Sequence, residues 1–147
     1  MMLPQALEIE RAGLKCWPGI DVEWDGAWVR RASNGYTKRA NSAQCFDPTD
    51  DDNVAPRIEA SRSWFTVRGL RPTFRVNLLS GPHLTAALAA AGWVGIDHSH
   101  QMAAELSPVA ADPRGELLDI RDPAFLDVQR RLKRLDDTAV AGLRGVL

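Results

Sequence analysis

An α/β fold of the α+β kind, a mixed but largely antiparallel sheet flanked by helices, is predicted by three observations. Helix-period and strand-period segments alternate along the first hundred residues. Asn34-Gly35 lies between two extended runs, the strongest short-range signal for a hairpin. Two Asp-led helix starts, one of them Asp122-Pro123, close the chain as a helical segment.

The first helix is expected over 3–17, where Leu3, Leu7, Leu14 and Trp17 share one side and Trp17-Pro18-Gly19 stops the run. Strands are expected at about 20–25, 27–33 and 36–46, with Asp25-Gly26 turning the first into the second. Asp47-Pro48 to Asn53 reads as a polar, solvated loop whose acids face the positive end of the next helix. That helix should span about 53–69, with Pro56 in its first turn and Gly69 behind it. A strand over Thr73–Leu78 follows, then a helix from His83 to Ala91 stopped by Gly92. Trp93 to Leu106 reads as a last strand. Phe125, Leu126, Val128, Leu132 and Leu135 continue the helix after Asp122, and Asp136-Asp137 opens the final one. Pro108, Pro113 and their neighbours mark a boundary, so the expected units are 1–106, a linker at 107–115, and a helical connector at 116–147.

Composition narrows the function classes. With 147 residues and 45% hydrophobic content the chain can build one core without staples. The formal net charge of −1 gives no global attraction to nucleic acid or membrane. No apolar run approaches the roughly 18 residues needed to span a bilayer, and the acidic N-terminal stretch is not a signal peptide. A cytoplasmic protein is expected. Cys16 and Cys45 make no disulfide framework and lack zinc-ligand spacing, so both read as reduced, packed thiols.

Four constellations carry possible chemistry. Trp28, Arg30, Arg31, Tyr36, Lys38, Arg39, Asn41 and Ser42 form a basic hairpin, a candidate interaction surface. Adjacent cations on a strand point to opposite faces, which splits the patch and argues against nucleic acid. His98 and His100 would share a strand face, yet a metal needs a third ligand and His83 is the only other histidine. Asp50-Asp51-Asp52 lacks the glycine and closing glutamate of a calcium loop. Cys45 has no histidine in a known nucleophile signature. The eleven glycines and three histidines contain no phosphate loop, dinucleotide fingerprint, nucleophile elbow or His-Glu-x-x-His pair.

Six landmarks carry a resemblance. They are Cys16-Trp17-Pro18 after the first helix, Trp28 to Arg31, Gly35-Tyr36-Thr37-Lys38-Arg39-Ala40-Asn41-Ser42, the helix end at Trp64-Phe65, Pro72 to Val76, and Leu84 to Trp93 leading toward Met102. Residues 8–106 resemble the N-terminal half of a bacterial branch of the GNAT superfamily, the acyl-CoA-dependent N-acetyltransferases. Residues 116–147 resemble the connector before the acetyl-CoA-binding half. The resemblance implies acetyl transfer from acetyl-CoA to an amine by the intact protein. The family's Arg/Gln-x-x-Gly-x-Gly/Ala loop, which lays a diphosphate on helix N-terminal amides, has no counterpart among these glycines. No cofactor is therefore expected in this chain, no catalytic residue carries over, and a non-catalytic N-terminal scaffold is the expectation. With Val146-Leu147 ending a helix, a fragment or truncated product is expected, its partner the C-terminal GNAT half. The alternative is a self-contained binding and oligomerisation module, a homodimer that uses a sheet edge or the basic hairpin 28–42 to engage a protein partner or, as the less favoured variant, nucleic acid.

Overall fold

The computed structural model describes residues 3–102, 104, 114–115 and 118–147. Among the described residues it is an α+β fold of five helices and one three-stranded antiparallel sheet. The strands β1 (Asp21–Asp25), β2 (Trp28–Ala32) and β3 (Ser42–Cys45) lie in chain order. Gly26, at φ +60°, turns β1 into β2, and the pairing closes on Asp25 opposite Trp28. Every residue of the central strand β2 is buried, because the sheet is covered on both sides.

Helix α1 (Leu3–Cys16) lies on one face, where Ala6 packs with Val29, Phe46 and Leu79. Its buried face is set by Ala6 and Glu10, while Leu3, expected to be apolar anchoring, is half exposed. Helices α2 (Val54–Thr66) and α3 (Pro82–Ala90) cover the other face. There Trp28 and Cys45 meet Val54, Ile58, Leu84 and Leu88, and Ala32 and Ala43 meet Trp64 and Phe65. Gly69 (φ +66°) and Gly92 (φ +75°) follow α2 and α3 in the left-handed conformation that a helix stop requires. Trp93 N donates to Leu88 O across six residues at 3.0 Å, the closing bond of such a stop.

Helices α4 (Pro123–Lys133) and α5 (Asp137–Val146) start where the sequence placed them. Asp122 accepts from Ala124 N at 2.7 Å and Asp136 from Ala139 N at 2.8 Å, so each helix is capped by its own preceding acid.

Three expected strands need correction. The stretch 36–41 is a loop containing a 3-10 turn at Lys38–Ala40, so β3 covers four residues only. The expected strand Thr73–Leu78 shrinks to a single parallel bridge between Phe74 and Ala43, because Pro72 precedes it and the turn at Asn77 to Ser80 ends it. From Trp93 to Met102 the backbone pairs with no strand among the described residues. Asp97, at φ +53°, breaks the extended run, and Val94 and Met102 stand in solvent. Residues 107–113 of the expected linker at 107–115, and 105–106 at the end of that strand, lie outside the described residues. Among the described residues no helix is long and apolar enough to cross a membrane.

The acid run is not a solvated loop but a seam. Asp50 accepts from Ala27 N at 2.6 Å and from both Arg57 terminal nitrogens at 2.8 and 3.1 Å. Asp51 reaches across to α3, accepting from His83 N at 2.8 Å and Leu84 N at 3.1 Å. A side chain at Gly81 would collide with that carboxylate. The Arg57 guanidinium holds the Asp50 carboxyl below its ordinary value. The native state therefore binds fewer protons there than the unfolded chain, and Asp50 contributes stability above about pH 4 that is lost as acid protonates it. Asp50→Asn is expected to cost about 1–2 kcal/mol at pH 7 and to flatten the loss of stability below pH 4, read by urea unfolding across pH.

Candidate functional site

The loop Ser33–Asn41 joins β2 to β3 and holds the most specific wording of the sequence. Asn34 (φ +49°) and Gly35 (φ +76°) adopt the positive φ expected of them. Thr37 does so as well, at φ +55° and ψ +142°, a conformation costly for a β-branched residue. Asn41 holds this strained path. Its Oδ1 accepts from Ser33 N at 2.8 Å and Gly35 N at 3.1 Å, and its Nδ2 donates to Tyr36 O and Thr37 O, both at 2.8 Å. One amide thus uses donors and acceptors together to replace a strand ladder. Trp17 Nε1 donates to Thr37 Oγ1 at 3.1 Å, tying the end of α1 to the same loop.

The C-terminal helices α4 and α5 dock here. Tyr36 and Ala40 form a buried cluster with Leu126, Leu143 and Val146. Gly142 lets α5 approach, since a Cβ there would lie 2.5 Å from Tyr36 Cβ and 2.7 Å from Ser33 O. The C-terminal helices are therefore seated on the loop within this chain.

Of the eight residues expected to form an interaction surface, Trp28, Arg30, Arg31, Tyr36, Asn41 and Ser42 are buried. Lys38 and Arg39 are exposed, and Lys38 pairs with Asp97. The alternation across the sheet sends Arg30 and Arg31 to opposite faces, as anticipated. Arg30, under α2, bonds Glu23 at 2.5 Å, Asp25 at 3.1 Å and Ser61 Oγ at 3.0 Å. Arg57 completes that face, stacked 4.3 Å from the Trp28 ring centroid and bonded to Asp25 Oδ2 at 3.1 Å.

Arg31 enters a second polar cluster beneath α1. It donates to Trp17 O at 2.9 Å and Gln44 Oε1 at 3.2 Å. Gln44 Nε2 donates to Glu10 Oε2 at 2.7 Å, and Arg75 donates to the same carboxylate. Neither Glu10 nor Gln44 was singled out in the sequence. A charged residue four positions from buried Ala6, on the same helical side, is the one signal that could have found Glu10.

His98 and His100 lie on an exposed segment, and His83 caps elsewhere, its Nδ1 3.2 Å from Asp51. Among the described residues no three His, Cys, Asp or Glu side chains come together as metal ligands. Cys16 is exposed, against expectation, because it falls on the outer side of α1's last turn. Cys45 is buried, and burial pushes its thiol up, away from nucleophilic reactivity.

The family described as the C-terminal region of the probable histone acetyltransferase Rv0428c matches residues 5–147, and the chain belongs to that family. A probable histone acetyltransferase of Mycobacterium tuberculosis (strain ATCC 25618 / H37Rv), Rv0428c itself, is 34% identical over 68 residues, which are 46% of this chain and 22% of that protein. The matched stretch is thus under a quarter of the relative's length. No solved structure matches. An acetyltransferase-like family is established by these matches, one coarser than the N-terminal GNAT half that the motifs resemble.

Proposed function

We propose that this chain is the non-catalytic, coenzyme-free portion of an N-acetyltransferase-like protein, a scaffold on the acceptor side of an acyl-transfer module. The observation that carries the reading is how the helix N-termini are filled. A coenzyme diphosphate binds where unpaired amides and a helix dipole meet an anion. Here Asp51 accepts from two such amides at α3, and Asp122 and Asp136 each accept from one, at α4 and α5. The entry to α2 carries Asp50, Asp51 and Asp52 in succession, a like-charged approach for a diphosphate. The intact protein would bring acetyl-CoA and an amine together by positioning, with backbone amides stabilising the thioester oxyanion. The relative's name points to a histone as acceptor. The relative's C-terminal region and the N-terminal half of an acyl-transfer module are compatible positions if the module fills that region. In this reading, the strained loop Ser33–Asn41 is the support on which α4 and α5 rest. The full chain is expected to give no acetyl transfer above the uncatalysed rate to a histone-tail peptide with saturating acetyl-CoA. Turnover by the purified chain would overturn the reading.

A further inference from the structure

Arg31 is the anomaly of the core. Its side chain is 1% exposed, yet its guanidinium donates to neutral oxygens only, those of Trp17 and Gln44. Its Nε has no hydrogen-bond partner among the described residues, nor has Glu10 Oε1. Arg75 reaches the same Gln44 Oε1 at 3.4 Å, so two guanidinium groups converge on one amide oxygen. The one nearby carboxylate, Glu10, spends its other oxygen on Gln44 and Arg75. Among the described residues the charged groups acting on Arg31 are two cations, Arg75 and Arg39, and one acid, Glu10. Burial first, then Arg75, pushes Arg31 down to about 10, which still leaves it charged at neutral pH. Buried cations ordinarily have a carboxylate or an ion against them. Arg75 is about one-third exposed, so the cluster opens to solvent on its side.

We propose that Arg31 and Arg75, with the charge of Arg39 nearby, form a binding site for a small oxyanion of phosphate or carboxylate chemistry, entering beside Arg75 and supplying the missing counter-charge. Planar guanidinium forks suit an anion that presents two or more oxygens. The free Glu10 Oε1 is an acceptor, so an oxyanion that carries an O–H is preferred, and hydrogen phosphate should outcompete acetate. The site lies under α1, away from the capped N-termini of α3, α4 and α5, and does not rest on the acyl-transfer reading.

Calorimetric titration of the full chain with sodium phosphate, with sodium acetate, and with sodium chloride at matched ionic strength tests it. Saturable binding of phosphate is expected, with weaker binding of acetate and none of chloride. Arg75→Gln and Arg39→Gln should each weaken phosphate binding at least tenfold. Arg39 is exposed, so its variant keeps the test decisive if Arg75→Gln fails to fold by circular dichroism. No saturable phosphate binding, or binding of equal strength in Arg39→Gln, would overturn the proposal.

Discussion

Asn41→Ala is expected to destabilise the chain by about 3–5 kcal/mol in urea unfolding at pH 7. The substitution removes four hydrogen bonds at once. It strands Ser33 N and Tyr36 O in buried surroundings, and each orphaned buried group costs about 1–3 kcal/mol. It also removes the bond to Thr37 O that helps to pin its strained backbone. Asn41→Asp separates the parts. It keeps the acceptor for Ser33 and Gly35 but loses both donations, and should fall about midway between wild type and Asn41→Ala. Equal stability of all three would mean that the loop is held by the Tyr36 cluster with α5 and not by this amide.

Trp28→Ala should cost a similar about 3–5 kcal/mol, for a different reason. Trp28 is 1% exposed at the meeting of β2, β3, α2 and α3. Its ring stands edge-on to Phe74 at 6.1 Å, carries Arg57 on its face, and donates from Nε1 to Asp50 O at 3.0 Å. Trp28→Phe keeps an aromatic volume but loses the indole N–H, and is expected to lose about 1–2 kcal/mol, read by the same unfolding series. A small effect of Trp28→Ala would place the core elsewhere.

The two halves of the fold were not equally legible from the amino acids. Gly69, Gly92, Asp122-Pro123 and Asp136 announce helix ends through chemistry that acts within three or four residues, and all of them do so in the structure. Asp25-Gly26 and Asn34-Gly35 likewise turn the chain where local backbone freedom allows. The failures share a physical cause, which is distance along the chain. Asn34-Gly35 implied a tight hairpin, but Asn41 captures the loop from six to eight residues away and delays β3. Asp51 looks like a cap for the helix just after it, and instead caps one 32 residues on. Glu10 finds Gln44 across 34 residues, which no periodicity in α1 foretells. The Trp93–Met102 run has the composition of a strand, but composition supplies no neighbour to pair with.

The site was legible in the same uneven way. Opposed strand faces correctly divided Arg30 from Arg31, because alternation is a local property. Their burial was not legible, since it depends on α1 and α2 closing over both sides of a sheet. A run of four cations that reads as a surface patch is, for Arg30 and Arg31, two separate interior networks, one rich in acids and one short of them.

Isothermal titration of acetyl-CoA into the full chain, in phosphate buffer so that any oxyanion site is filled, most directly tests the coenzyme-free reading. We expect no heat beyond dilution. Micromolar binding that persists in Arg75→Gln, with amide shifts at the first turns of α3, α4 or α5, would contradict it.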